Sequence, residues 1–159
     1  MERKNLTIQI VIKAEEELTE CERRLVEEAR QATLRSYAPY SRFSVGAAVE
    51  LEDGTIVSGS NQENAAYPSG LCAERTTVFY ANSRNPDLAV RRLAIAARGT
   101  DGAFTQRPIS PCGACRQVLL ETEQRSKGAI EVLLYGTQGT YVVGSIHDLL
   151  PLCFDESFL

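Results

Sequence analysis

The chain has no tryptophan, a single methionine and a single histidine in 159 residues. It also lacks any run of about twenty apolar residues, so no segment is expected to cross a membrane as a helix. The N-terminus, "MERKNLTIQIVIKAEEELTE", starts basic and holds a short apolar stretch, but has no small-residue cleavage site and turns acidic at once. It does not read as a signal peptide, and the expected location is the cytoplasm. Basic runs, repeats and low-complexity segments are absent, and the formal net charge is −4. That balance argues against a nucleic-acid partner, because such binders draw most of their affinity from basic surface. A small neutral substrate stays open. The five cysteines are odd in number and come without a secretory signal, so a disulfide framework is not expected. Hydrophobic residues make up 43% of the chain, enough for a packed core, and the length fits one domain.

The apolar pattern alternates between two periods. Leu6 to Ile12 is rich in β-branched residues and alternates loosely, a candidate extra strand. It lies in an N-terminal extension, residues 1–15, ahead of a single domain over residues 16–159. Leu18, Cys21, Leu25, Ala29 and Ala32 recur at helical spacing and predict a helix from Leu18 to Ser36, capped near Thr19. "YAPYSRFS" breaks it, and Pro39 disfavours helix at Ala38. "FSVGAAVEL" and "TIVSGS" flank "EDG", which predicts a hairpin with strands over 43–51 and 55–60. "NQENAAYPSG" and "GTDGAFTQRP" read as loops, "LCAERTTVFYANS" and "CGACRQVLLETEQ" as helices. "VRRLAIAAR" reads as a buried strand, "AIEVLLYG" and "TYVVGS" as strands around the turn "TQG", and "SIHDLLP" as a short helix. The order α-β-β-α-β-α-β-β-α predicts an α/β fold: a three-layer sandwich with a mixed five-stranded sheet flanked by helices.

Chemistry concentrates in two short motifs. Cys112 and Cys115 are three apart, so on a helix they share a face. At a helix N-terminus the unpaired N–H groups and the dipole lower thiol pKa values. Ser110 is suited to cap that helix and Pro111 to open it. Two thiolates aimed off a helix end serve a redox couple or a metal equally well. Cys72 opens another predicted helix. Two helix N-termini meeting at one point bring three thiolates together and leave one coordination position open, the mark of a catalytic zinc. Glu74, two residues after Cys72, can face that position without being a ligand and can take and return a proton. Zinc lowers the pKa of bound water from about 15.7 to about 7. Three thiolates leave Zn²⁺ with net negative charge. Arg75 is the nearby cation, expected to donate hydrogen bonds to a thiolate sulfur; the alternative is an exposed helix charge. Cys21 and Cys153 read as small hydrophobes.

"YSRFSVGAAV", "NQENAAYPSGLCAERT", "SPCGACRQVL" and "LLPLCF" together resemble the small, zinc-dependent cytidine deaminases, over residues 20–155 and in the same order. The resemblance implies that Cys72, Cys112 and Cys115 hold one zinc ion per chain and that Glu74 is the proton shuttle. It implies that Asn61 and Glu63 bind the ribose and that Phe43 packs against the pyrimidine, with Ala73 also among the substrate contacts. It further implies a homotetramer with composite active sites, in which Phe154 reaches a neighbouring subunit's pocket and Tyr67 lies near the subunit contacts. The implied reaction is hydrolytic deamination of cytidine and deoxycytidine to uridine and deoxyuridine by a zinc-activated water, in pyrimidine salvage.

The residues by themselves agree in part. Asn61 and Glu63 are two apart, so in extended chain they point the same way. Glu accepts from a sugar hydroxyl, and Asn donates and accepts. A carboxylate there repels a 3′-phosphate, which favours a free nucleoside over a polynucleotide. Alone, Asn61 and Glu63 also read as turn residues, and Phe43 as core. Ser60 stands where many relatives carry Cys, and the first dozen residues have no counterpart in the family pattern. His147, in "SIHDLLP", reads as an ordinary surface or half-buried histidine. Two other readings stay open. A sister aminohydrolase of the blasticidin-S deaminase type shares the Cys-x-Glu and Pro-Cys-x-x-Cys motifs, and Asn61 with Glu63 favours cytidine over it. A structural zinc protein without catalysis needs a fourth protein ligand, and neither Cys21 nor Cys153 lies in a ligand-spaced motif.

Overall fold

In chain order, the computed structural model, which describes residues 1–159, comprises β1 (Ile10–Lys13), α1 (Glu20–Ala32), β2 (Ser44–Leu51) and β3 (Ile56–Ser60). Then follow α2 (Ala73–Arg84), β4 (Val90–Arg98), α3 (Gly113–Arg125), β5 (Glu131–Leu134) and β6 (Thr140–Val143). The strands form one sheet in the order β1-β6-β5-β4-β2-β3. β4 and β5 run parallel and every other neighbouring pair runs antiparallel, so the sheet is mixed, as the sequence predicts.

Alternation along the central strands splits the core in two. Leu25, Val26 and Ala29 of α1 pack with Ala48, Ala94, Ala96, Leu133 and Val142 on one face. Val78 and Ala81 of α2 and Leu119 and Leu120 of α3 pack with Ala47, Val49, Leu93, Ile95, Val132 and Leu134 on the other. Consecutive residues of β4 are buried on both faces, so its pattern is a continuous apolar run rather than an alternating one. The three predicted layers follow. α1 and β2 approach so closely at Gly46 that a Cβ there would collide with the Ala29 carbonyl oxygen and lie 2.6 Å from Thr33 N.

The sheet has six strands rather than five. β1 pairs antiparallel with β6, with Ile10 opposite Val143 and Lys13 opposite Thr140. Helix–strand alternation counts only the strands inside the sandwich, whereas β6 offers an unpaired edge that the N-terminal extension takes up. Lys13 Nζ donates to Glu22 Oε1 at 2.6 Å and pins β1 to the start of α1. Thr19 caps α1 reciprocally: its Oγ1 accepts from Glu22 N at 3.3 Å and its N donates to Glu22 Oε2 at 2.8 Å. Burial alone would raise the Glu22 carboxyl, but the bonds from Lys13 and Thr19 hold it below the ordinary range. α1 ends in a 3-10 turn, Thr33–Arg35, and the short helix after β6 is a 3-10 turn over Ile146–Leu149. The buried Glu123 ties α3 to the chain on either side of the last hairpin. It accepts from Ile130 N at 2.7 Å, Ser145 Oγ at 2.8 Å and Ile146 N at 2.9 Å.

Candidate active site

α2 and α3 start at neighbouring points on one side of the sheet. Cys72 is the N-cap of α2, and its side chain makes no capping bond, which leaves the sulfur free. The first turn of α2 is pressed against β2 and β3. Thr77 Oγ1 donates to Ala73 O at 2.7 Å and lies 3.3 Å from Ala47 O, and a Cβ at Gly59 would lie 2.8 Å from Thr77 Oγ1. Cys112 is the N-cap of α3. The sequence favours Ser110 for that place, but the helix begins at Gly113, so Ser110 stands too early. Its Oγ accepts instead from Arg116 Nη2 at 2.9 Å. Cys115, in the first turn of α3, is fully buried.

The three sulfurs lie within 4.8 Å of one another, with Cys72 and Cys112 at 3.9 Å. Tetrahedral zinc with Zn–S bonds of about 2.3 Å sets its sulfurs about 3.8 Å apart, so the cluster fits that ion. The group contains these three residues and no fourth His, Cys, Asp or Glu. A hydrogen bond from Cys115, with Arg75 and Cys112 nearby, pulls the Cys72 thiol from 9.0 down to about 5 against the opposing effect of burial. The same Cys72 contact, together with burial and the Glu74 charge, pushes the Cys115 thiol up. A cation that takes all three sulfurs displaces any proton the cluster holds. Arg75 Nη2 donates to Cys72 Sγ at 3.9 Å.

Glu74 occupies the first turn of α2 and is 4% exposed. Burial is the main force raising its carboxyl, and the Cys72 charge adds to it, while Cys115 and Arg75 act the other way. A carboxyl held above its ordinary range beside three sulfurs is suited to carry a proton.

A cavity of about 520 Å³ opens beside the cluster. Cys72 and Arg75 form one wall and Asn61, Glu63, Tyr40 and Tyr67 the others. Asn61 and Glu63 thus share a side, but much of each is engaged internally. Asn61 Oδ1 accepts from Ser36 Oγ at 2.6 Å and Val45 N at 2.8 Å, and its Nδ2 donates to Phe43 O at 3.0 Å. One amide hydrogen remains for a ligand. Glu63 Oε2 accepts from Tyr40 N at 2.9 Å and Ser41 N at 3.2 Å, leaving Oε1 for the cavity. The Ser41 hydroxyl and these backbone donors hold the Glu63 carboxyl low, hence ionised.

The other sequence-derived candidates are spread more widely. Phe43 is half-buried against the core and does not line the cavity. Ala73 is fully buried beneath the start of α2. Tyr67 lies at the cavity rim, 76% exposed and edge-on to Tyr40 at 6.2 Å. Phe154 is 58% exposed and stacks on Phe158 at 5.6 Å, away from this chain's cavity. Cys21 is exposed at the start of α1. Cys153 lies 4.0 Å from Nδ1 of the exposed His147 and 3.7 Å from Asp155 Oδ2. Arg116, which no sequence motif marks, fastens the loop before Cys112 with its guanidinium. Its place directly after Cys115 was the one available signal.

The family model described as the cytidine and deoxycytidylate deaminase zinc-binding region matches residues 19–127. A cytidine deaminase of Halalkalibacterium halodurans is 42% identical over 130 residues, covering 82% of this chain and 91% of the relative. One from Sporosarcina psychrophila is 40% identical over 136 residues, covering 86% and 93%. The crystal structure of a cytidine deaminase from Burkholderia pseudomallei superposes with a TM-score of 0.71 at 41% identity, covering 86% of this chain and 100% of that one. With the three-sulfur cluster, the buried carboxyl beside it and the α/β sheet beneath both, these matches show that the chain belongs to the family of cytidine and deoxycytidylate deaminases with a zinc-binding region.

Proposed function

We propose that the protein hydrolyses cytidine and deoxycytidine to uridine and deoxyuridine with release of ammonia, in pyrimidine salvage. The observation that carries this reading is the buried Glu74 carboxyl next to the Cys72–Cys112–Cys115 cluster, whose Cys72 lines a nucleoside-sized cavity. Zinc held by the three sulfurs would supply a Lewis acid that lowers the pKa of a water at its open position. Glu74 accepts a proton from the attacking water as oxygen bonds to C4, and delivers it to ring N3. It then takes the proton of the new C4 hydroxyl and passes it to the amino group, so that the C4 carbonyl forms, the C–N bond breaks and ammonia leaves. The carboxyl thus alternates between base and acid and ends in its starting state. Arg75 offsets the negative charge of the sulfurs through its bond to Cys72. Glu63 Oε1 and the free Asn61 amide hydrogen would take the sugar hydroxyls, turning binding into orientation. The negative Glu63 also disfavours a 3′-phosphate. In a homotetramer, Phe154 would complete a neighbour's pocket, in keeping with its exposure here.

The test is purified protein mixed with cytidine and followed by the fall in absorbance as uridine forms. Turnover of cytidine with ammonia in equal amount is expected. No change with cytidine, but turnover of another amino heterocycle, would assign the chain to the blasticidin-S type instead.

A further inference from the structure

The two residues after Cys115 tie the sulfur cluster to the C-terminal segment. Arg116 Nε donates to Pro111 O at 2.8 Å and Nη2 to Ser110 Oγ at 2.9 Å, both in the loop that delivers Cys112. Nη1 donates to Leu149 O at 2.8 Å, at the end of the 3-10 turn after β6. One planar guanidinium therefore joins the first turn of α3, the Cys112 loop and the C-terminal segment. Next to it, Gln117 Nε2 donates to Phe154 O at 2.9 Å. Past Leu150, this is the sole hydrogen bond from the C-terminal segment to any part of the chain before residue 145.

We infer that Arg116 and Gln117 are positioning residues that couple metal occupancy of the Cys72–Cys112–Cys115 cluster to the placement of the segment carrying Phe154. The inference rests on reading the cluster as a metal site. An ion that bridges Cys112 and Cys115 fixes the Ser110–Pro111 loop relative to the first turn of α3. Arg116 spans those same two pieces, and its third bond passes the restraint on to Leu149. The coupling is reciprocal: an ion that steadies the segment is itself released more easily when the segment is loosened. A lysine keeps the charge but cannot span three acceptors set around a planar fork.

Hydrogen exchange of residues 150–159 in zinc-loaded and chelator-stripped protein tests this, together with the rate of zinc release to a chromophoric chelator. In the wild type, stripping is expected to speed exchange in this segment several-fold. R116K is expected to release zinc about tenfold faster, the scale of losing charged hydrogen bonds. Its segment should exchange fast whether or not zinc is present. Q117A lies on the surface of α3 and should loosen the segment and, by the same reciprocity, speed zinc release by about two- to threefold, less than R116K because the Arg116 bonds to the Cys112 loop and to Leu149 remain. Equal exchange in loaded and stripped wild type, or wild-type zinc release by R116K, would overturn the coupling. A wild type with no bound zinc overturns the metal reading itself, and metal content reveals that before any exchange is measured.

Discussion

Asn61 donates to the Phe43 carbonyl at 3.0 Å while the other end of its amide accepts from Val45 N at 2.8 Å, so one side chain stitches β3's exit to β2's entry. The residue that the sequence suggests for sugar binding is therefore also a fastener for the start of β2, directly after Phe43. Asn61→Ala should cost about 2–4 kcal/mol of stability, from three internal hydrogen bonds, as well as raising KM. Asn61→Asp keeps the acceptor and should cost less. Urea unfolding of both variants checks this; unchanged stability in Asn61→Ala would leave the residue a ligand contact alone.

Glu74→Gln should keep about one zinc per chain and lose activity by a factor of about 10² to 10⁴, the usual weight of a general acid–base. Metal content by mass spectrometry and the absorbance assay read the two outcomes separately. Loss of the metal would make Glu74 a ligand or a fold determinant.

Gly46→Ala should be among the most damaging single-methyl changes in this chain. Its Cβ meets the Ala29 carbonyl and Thr33 N, backbone atoms that cannot rotate away. Overpacking of this kind costs about 1–3 kcal/mol or more. A melting temperature near wild type would show that α1 can slide off β2.

The Lys13–Glu22 pair should give stability a defined pH dependence. The Glu22 carboxyl lies below its ordinary 4.5 in the fold, so its contribution is complete above that value and is lost as pH falls through the folded pKa. Lys13→Met should therefore lower stability by about 1–2 kcal/mol near neutral pH and by less in acid. Denaturation curves at several pH values test the sign; a loss that grows toward acid would contradict it.

Much of this molecule is legible from local pattern. The Thr19 cap with its returning Glu22, the "EDG" hairpin and the buried β4 follow from residue type and spacing, because each is fixed by neighbours close in sequence. β1 was legible only as a stretch of strand-forming residues. Its partner, β6, lies more than a hundred residues away, and strand propensity says nothing about which edge is free. That Cys112 rather than Ser110 caps α3 is hidden from the sequence for a similar reason. Several residues near a helix start can serve, and the choice fell to the bonds that Arg116 makes.

The sequence alone determined which groups are available for chemistry: three cysteines in two helix-opening motifs, a glutamate beside one of them, and an Asn–Glu pair in a loop. Spacing along a helix dictates that Cys112 and Cys115 share a face, because that geometry is local. Only the tertiary structure decided that Cys72, forty residues earlier, stands 3.9 Å from Cys112. That distance depends on two helices packed on one face of the sheet, with Gly59 thin enough to admit Thr77 against it. It also decided that Glu74 is buried, and burial is what lifts its carboxyl. Residue order supplies the ligands and the acid; desolvation by the folded core sets how that acid behaves.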